Sequence, residues 1–208
     1  MKMFITKISM LAGLACFAIT PVSAQSGAGN TDYGQQAATK VANIGNIVPL
    51  DTTQQRVLKK AYAAYSVSSD SIGRQTDKHA REKGQRKVNK QWQAALMNTL
   101  NDGQRQSYLS SITKPTADSL VAADMAVLQN SNLFSADELQ TMKNTLAEYH
   151  KQEQFILERD KYDINSRREN IEWLKKRSSK TYKMCEHILK MQQAGVLKNG
   201  TIVWQTNN

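Results

Sequence analysis

The chain has 208 residues, with 28 lysines and arginines against 18 aspartates and glutamates, and a formal net charge of +10 at pH 7. This length suits one domain with a hydrophobic core, and after residue 24 no stretch approaches the roughly 18 apolar residues of a transmembrane helix. A basic chain would first suggest nucleic acid as a partner, but an export signal at the N-terminus argues against nucleic acid.

Residues 1–24 have the pattern of a secretory signal peptide. Lys2 supplies a positive charge, an apolar run follows from Ile8 to Thr20, and Val22-Ser23-Ala24 provides the cleavage site. The sequence therefore predicts cleavage after Ala24 and a periplasmic location. An alternative is lipidation of Cys16, which is less favoured because Gly13 occupies a position where a large aliphatic residue is expected.

Cleavage would also change the charge and the cysteine content of the chain. Removal of Lys2 and Lys7 lowers the net charge from +10 to +8. Cys185 then remains as the one cysteine, so an intramolecular disulfide is excluded. Because Cys185 has apolar neighbours at helical spacing, we expect its thiol to be buried.

The segment after the signal changes character at Pro49. Residues 25–48 are rich in Gly, Ser, Asn and Gln, and we interpret them as a flexible N-terminal arm. Beyond Pro49, apolar residues recur at helical spacing and predict a helix from about residue 52 to 72, with Gly73 as its stop. The stripe consists of Val57, Leu58, Ala61, Tyr62, Ala64 and Tyr65.

Residues 74–90 are the most basic part of the chain. Asp77 and Glu82 are the two acids in this stretch, and Gly84 interrupts it. The cations are Arg74, Lys78, Arg81, Lys83, Arg86, Lys87 and Lys90. Such a run is most often a solvated helix face, but it can equally attract acidic partners or anionic lipid headgroups. Helical spacing resumes after it at Val88, Trp92, Leu96 and Leu100.

Further helices are predicted in the second half. A short helix over 104–112 is bounded by Pro115, and another covers 117–128, which completes a helical region over 49–130. Residues 135–194 contain no Pro or Gly and predict a long helical hairpin over 131–194.

The two long helices of that hairpin are expected to meet at a kink near residues 163–166, where Asp, Asn and Ser compete for local hydrogen bonds. The tail over 195–208 contains Asn199-Gly200, which favours a small type I′ hairpin. No segment suggests a sheet core, so the fold class is all-α: long antiparallel helices forming an extended hairpin or cradle.

One helix-start motif occurs twice, fifty residues apart, and a variant occurs a third time. The three copies are Leu50-Asp51-Thr52-Thr53-Gln54, Leu100-Asn101-Asp102-Gly103-Gln104 and Phe134-Ser135-Ala136-Asp137-Glu138. Each has an N-capping residue followed three positions later by Gln or Glu, which is the capping-box pattern. The predicted structural caps are Asp51, Gln54, Asn101, Gln104, Ser135 and Glu138.

This repeat resembles the L-T-x-x-Q motif of the Spy/CpxP-like periplasmic proteins, with Asp51 and Asn101 in place of the threonine. The resemblance covers roughly residues 48–113. It implies an ATP-independent, cradle-shaped chaperone or envelope-stress adaptor that is a homodimer and binds unfolded clients on a basic, partly apolar surface. The client-binding residues would be Arg74, Lys78, Arg81, Lys83, Arg86 and Lys87 for attraction, with Tyr62, Tyr65 and Trp92 for apolar contact.

A second hypothesis is a structural helical component of an envelope or secretion assembly that binds one specific protein partner. The C-terminal half, which the resemblance covers least, is its main support. A role at the membrane surface is a third and weaker hypothesis.

Neither catalysis nor a cofactor is predicted. The three histidines lie in no nucleophile motif, phosphate loop or paired-carboxylate arrangement. Met184, His187 and Met191 share a helix face and are weak candidates for a soft metal such as Cu(I). Methionines at this spacing are more often core filler, so no metal site is predicted.

Overall fold

The computed structural model describes residues 32–198 and 201–202, and within them the fold is all-α, as predicted. The predicted signal peptide and Cys16 lie outside the described residues. The helices are α1 Tyr33–Gly45, α2 Thr52–Gly73, α3 Lys78–Thr99, α4 Asp102–Asn130, α5 Ala136–Arg159, α6 Ile164–Arg177 and α7 Lys180–Gln193. A two-residue pair, β1 Leu197–Lys198 and β2 Thr201–Ile202, follows in antiparallel register.

The helices enclose two hydrophobic cores that share α4. The first core joins α1, α2, α3 and the start of α4, with Leu58 and Leu109 almost fully buried. The second core joins the rest of α4 to α5, α6 and α7 around Leu128, Leu146 and Cys185, each 0% exposed. The expected burial of Cys185 is therefore confirmed, and the most extensive helix contact is that between α4 and α5.

The interpretation of residues 25–48 as a flexible arm is wrong for the part that the structure describes. Residues 33–45 form α1, which Asp32 caps through a hydrogen bond from the backbone N–H of Gln35. Ala37, Val41, Ile44 and Val48 recur every three or four residues and are all buried. This stripe packs into the first core and outweighs the low helix propensity of the surrounding Gly and Asn residues.

Pro115 does not end a helix, contrary to the sequence-based expectation. Helix α4 runs without a break through Pro115 for 29 residues. Proline inside a helix removes one backbone hydrogen bond and costs about 3 kcal/mol. The side chain of Pro115 is exposed, whereas Thr113, Ala117 and Val121 continue the buried stripe on the opposite face. Packing along α5 therefore offsets the cost of the proline.

The segment 135–194 contains three helices, where two were expected. The expected kink near 163–166 is a full break, because α5 ends at Arg159 and Asp163 caps α6 by accepting from the backbone N–H of Ser166 at 3.0 Å. A second break went unpredicted: Ser179 caps α7 through the N–H of Tyr182. The predicted C-terminal hairpin is present as the β1–β2 pair, although its turn residues lie outside the described part of the chain.

All three predicted capping boxes are confirmed. Asp51, Asn101 and Ser135 each accept a hydrogen bond from the backbone N–H three residues on. In return Gln54, Gln104 and Glu138 each accept from the backbone N–H of the cap, at 3.1, 2.9 and 2.8 Å. The two hydrogen bonds to Ser135 lower the pKa of Glu138.

The first two capping boxes also bind each other, in an arrangement that we call the glutamine clasp. Nε2 of Gln54 donates to Oε1 of Gln104 at 2.8 Å, and Nε2 of Gln104 donates back to Oε1 of Gln54 at 3.1 Å. Nε2 of Gln54 also donates to the carbonyl of Thr99, and Nε2 of Gln104 to that of Pro49. Each carbonyl lies two residues before the other cap, so the clasp is locally symmetric and joins the starts of α2 and α4.

The caps lead to a first prediction. We expect Asp51→Ala and Asn101→Ala each to lower the free energy of unfolding by about 1 kcal/mol, because each leaves a helix-terminal N–H without its acceptor. The measurement is urea denaturation followed by circular dichroism. Asp51→Asn and Asn101→Asp keep the capping oxygen and should stay close to the parent. Alanine variants as stable as the parent would contradict the capping assignment.

Candidate functional site

The predicted basic stretch lies at the α2–α3 turn and along the first half of α3. Arg74 follows the end of α2, and Lys78 is the first residue of α3. Within the described residues none of the seven cations of this stretch forms an ion pair. Their charges are therefore uncompensated at close range, which strengthens the local positive potential.

Part of this stretch forms one wall of an open groove of about 890 Å³, which we call the cationic groove. Its other wall is the α5–α6 connection. The groove surface is mainly apolar, and its rim carries six cations with no carboxylate among the lining residues. These cations are Lys83, Arg86, Lys87, Lys90, Lys161 and Arg167. Such a site suits a chain segment that carries both acidic and aliphatic side chains.

Three of the six predicted attracting residues line this groove and three do not. Lys83, Arg86 and Lys87 lie on the rim. Arg81 is half-buried and donates from its guanidinium to the carbonyl of Gln75 at 3.1 Å, which fixes the turn before α3. Arg74 and Lys78 are exposed near the same turn. Of the six predicted client-attracting cations, only the three in the middle of α3 therefore line the groove.

The second wall of the groove was missed in the sequence. Lys161, Tyr162, Ile164 and Arg167 come from the α5–α6 connection and the first turn of α6. Ile164 is 69% exposed, the largest fraction among the exposed large apolar residues of the described chain. An isoleucine within the predicted kink, with basic residues on both sides, is the signal that could have identified this wall.

Glycine shapes the floor of the groove at position 84. A Cβ atom placed on Gly84 would lie 3.2 Å from two side-chain carbons of Ile72. Helix α3 therefore approaches the end of α2 more closely than a larger residue would allow.

Tyr162 and Asp163, at the second wall, have shifted pKa values. Burial raises the pKa of Tyr162, so its phenol remains neutral at physiological pH. Asp163 has a lowered pKa, chiefly because its carboxylate accepts from the backbone of Ser166, with Lys90 contributing further. The carboxylate of Asp163 therefore caps α6 and does not line the groove, so the rim of the groove remains positively charged.

The predicted aromatic contact residues lie elsewhere. Tyr62, Tyr65 and Trp92 form a cluster between α2 and α3, with ring centroids 5.0 to 6.4 Å apart. All three are half-buried, and Trp92 packs against the first core. They do not line the cationic groove. Their packing stabilises the α2–α3 hairpin, as expected for aromatic pairs.

Met184, His187 and Met191, the weak metal candidates, do not form an enclosed metal site in the structure. Met184 and His187 are exposed, Met191 is half-buried, and Cys185 between them points into the second core. No group of three or more His, Cys, Asp or Glu side chains among the described residues is placed to hold a metal ion. The Met-His-Met face remains a weak candidate.

Comparison with protein-family models, curated proteins and solved structures found no significant match to this chain. The resemblance to the Spy/CpxP-like proteins therefore rests on the repeated motif and stays a prediction. In the described part of the chain, no helix has the length and apolar content needed to cross a membrane.

Proposed function

We propose that the protein is a periplasmic, ATP-independent chaperone or envelope-stress adaptor that binds unfolded clients in the cationic groove. The observation that carries this proposal is the combination of an apolar groove surface with six rim cations and no lining carboxylate. The cations attract acidic segments of an unfolded chain and raise the rate of encounter. Apolar contact with Ile164 and the groove floor then holds exposed aliphatic side chains weakly.

The groove geometry favours loose binding. It is open to solvent, and its rim consists of long lysine and arginine side chains. Affinity for any one sequence is therefore low, and many sequences can be accommodated. Release needs no ATP, because weak contacts dissociate as the client buries its own apolar side chains.

A test of this proposal is aggregation suppression with a chemically unfolded client. The protein would begin at Gln25, which keeps every described residue, and the assay would contain no ATP. We expect suppression near stoichiometric ratio that weakens as salt is added, since salt screens the rim charges. Lys83→Gln with Lys87→Gln should raise the amount of protein required about fivefold or more, and Ile164→Ser should weaken suppression at all salt concentrations.

The matched control is Lys59→Gln with Lys60→Gln, which removes the same charge from an exposed part of α2 outside the groove. This control should suppress aggregation like the parent. Equal loss in both double variants would show a general charge effect and contradict the groove as the binding site. Absence of suppression at any ratio would contradict the chaperone proposal itself.

A second candidate function is a helical component of an envelope assembly with one folded partner, and the apolar surface of α2 favours it. Val57 and Val67 are 44% and 49% exposed on α2, with exposed Ala64 between them. This surface could equally close the homodimer that the resemblance implies. Light scattering gives the mass in solution, and a stoichiometric complex with a single envelope protein would favour the assembly role.

A further inference from the structure

A second basic surface lies where α6 meets α7, apart from the cationic groove. We call it the α6–α7 corner and define it by Trp173, Lys175, Lys176, Arg177, Lys180 and Lys183. The five cations lie within nine residues, and residues 173–185 contain no acid. None of these cations lines the cationic groove.

Two of the five charges of the corner work against local stability, whereas Lys175, Lys176 and Arg177 lie favourably in the last turn of α6. Lys180 and Lys183 occupy the first turn of α7, at the positive end of the helix dipole, and that turn contains no acid. In the described chain none of the five cations forms an ion pair. Nζ of Lys183 reaches the carbonyl of Lys176 at 3.4 Å, which holds the two helix ends together. Cations gathered without a local partner point to an anionic ligand from outside the chain.

An exposed tryptophan stands among these charges. Trp173 is 54% exposed, and the guanidinium carbon of Arg177 lies 4.6 Å from the centroid of its ring. A cleft of about 460 Å³ opens beside the pair, between α5 and the α6–α7 connection. Glu148 is the one acid that lines the cleft, and its carboxylate already contacts Lys151 and Gln152.

From this juxtaposition we infer that the α6–α7 corner is a docking surface for anionic phospholipid bilayers. Lysine and arginine side chains near a bilayer bind its phosphate headgroups, and their long stems can extend from the helix ends to reach them. The indole of Trp173 has an apolar ring and a polar N–H, which suits it to the headgroup level of a membrane. The corner would hold the protein at the membrane surface with the cationic groove free.

A bilayer fits this surface better than an acidic peptide does. The apolar residues behind the cleft, Leu174 and Tyr182, are buried and already packed in the second core. An acidic peptide would therefore meet the cations of the corner but, with the exception of Trp173, little free apolar surface to bind. At a bilayer, the half-exposed indole of Trp173 can insert among the headgroups while the neighbouring cations bind the lipid phosphates. The indole and the cations of the corner can therefore bind the same lipid surface.

The experiment measures binding of the chain from Gln25 to vesicles. One set contains phosphatidylglycerol and phosphatidylcholine in equal parts, and the other contains phosphatidylcholine alone. We expect flotation with the anionic vesicles, with a blue shift of tryptophan emission that Trp173→Phe abolishes. Lys175→Gln with Lys176→Gln should lower the partition coefficient about thirtyfold, since each basic residue near an anionic surface contributes about 1 kcal/mol.

Two matched variants make the result specific. Lys59→Gln with Lys60→Gln removes another adjacent lysine pair and should bind vesicles like the parent, and so should the groove variant Lys83→Gln with Lys87→Gln. Equal losses in all three pairs would overturn the corner as the docking surface, as would absence of binding to anionic vesicles. Binding of polyglutamate at the corner without binding of vesicles would also overturn it, in favour of an acidic protein partner. Because aggregation suppression is measured without lipid, the two proposals fail independently.

Discussion

Gln54→Glu is expected to destabilise the protein by about 2 kcal/mol, even though glutamate serves a capping box as well as glutamine does. The variant keeps the acceptor for the backbone N–H of Asp51 and loses both donors of Nε2. The carbonyl of Thr99 and the amide oxygen of Gln104 would then face a carboxylate. Each lost hydrogen bond costs about 1 kcal/mol, and repulsion between the oxygens adds to it.

The local symmetry of the clasp predicts the same loss for Gln104→Glu. The measurement is the free energy of unfolding in urea. Gln106→Glu is the matched control, because it makes the same charge change on an exposed position of α4 and should stay within about 0.5 kcal/mol of the parent. If Gln54→Glu and Gln106→Glu were equally stable, the clasp would contribute nothing beyond its two capping boxes.

The second large effect is a loss of stability at alkaline pH, caused by His150. This side chain is 8% exposed, its Nε2 lies 2.7 Å from Oδ2 of Asp124, and its Nδ1 lies 3.3 Å from Oε2 of Glu153. Burial alone lowers the pKa of His150, but the hydrogen bonds and charges of the two carboxylates outweigh it and raise the pKa to about 9. The imidazolium thus bridges α4 and α5 at neutral pH.

The direction of the pH effect follows from the two pKa values. The pKa of His150 is about 9 in the folded state and about 6.5 in the unfolded state. Its contribution is complete below about pH 6.5 and is lost as the pH rises to about 9. Because the site is partly open to solvent, we expect a loss of about 2 kcal/mol over this range.

Urea denaturation between pH 6 and 9 measures this slope. His150→Gln should be less stable than the parent at pH 6, because it leaves Asp124 and Glu153 without their cation, and its stability should change little with pH. His79→Gln, on an exposed histidine of α3, should keep the slope of the parent. A full slope in His150→Gln would assign the effect to another group.

The repeated motif predicted more of the fold than composition did. Asp51, Asn101 and Ser135 identified three helix starts correctly, because a cap and its partner three residues on form a purely local structure. Composition failed for residues 33–45, where Gly and Asn concealed three buried positions at helical spacing. It failed again at Pro115, where packing against α5 decides the outcome and cannot be read from neighbouring residues.

The candidate site shows the same division. The basic run on α3 was visible in the sequence, whereas the opposing wall at Ile164 depends on how α6 returns towards α3. The mutual pairing of Gln54 and Gln104 was equally hidden, since each glutamine is already explained by its own capping box. Contacts over fifty or more residues come from tertiary packing, and no local pattern records them.

Helix α4 has a consequence for how this chain can be divided. Its first half contributes Tyr108 and Leu109 to one core, and its second half contributes Val121, Met125 and Leu128 to the other. A fragment that stopped between α4 and α5 would expose those three side chains to water, at about 2 kcal/mol each. The part of the chain that ends with α4, which carries the first two copies of the repeated motif, is thus not expected to be stable alone. Any shuffling, truncation or fusion of this protein has to keep the whole of α4 together with its partner α5.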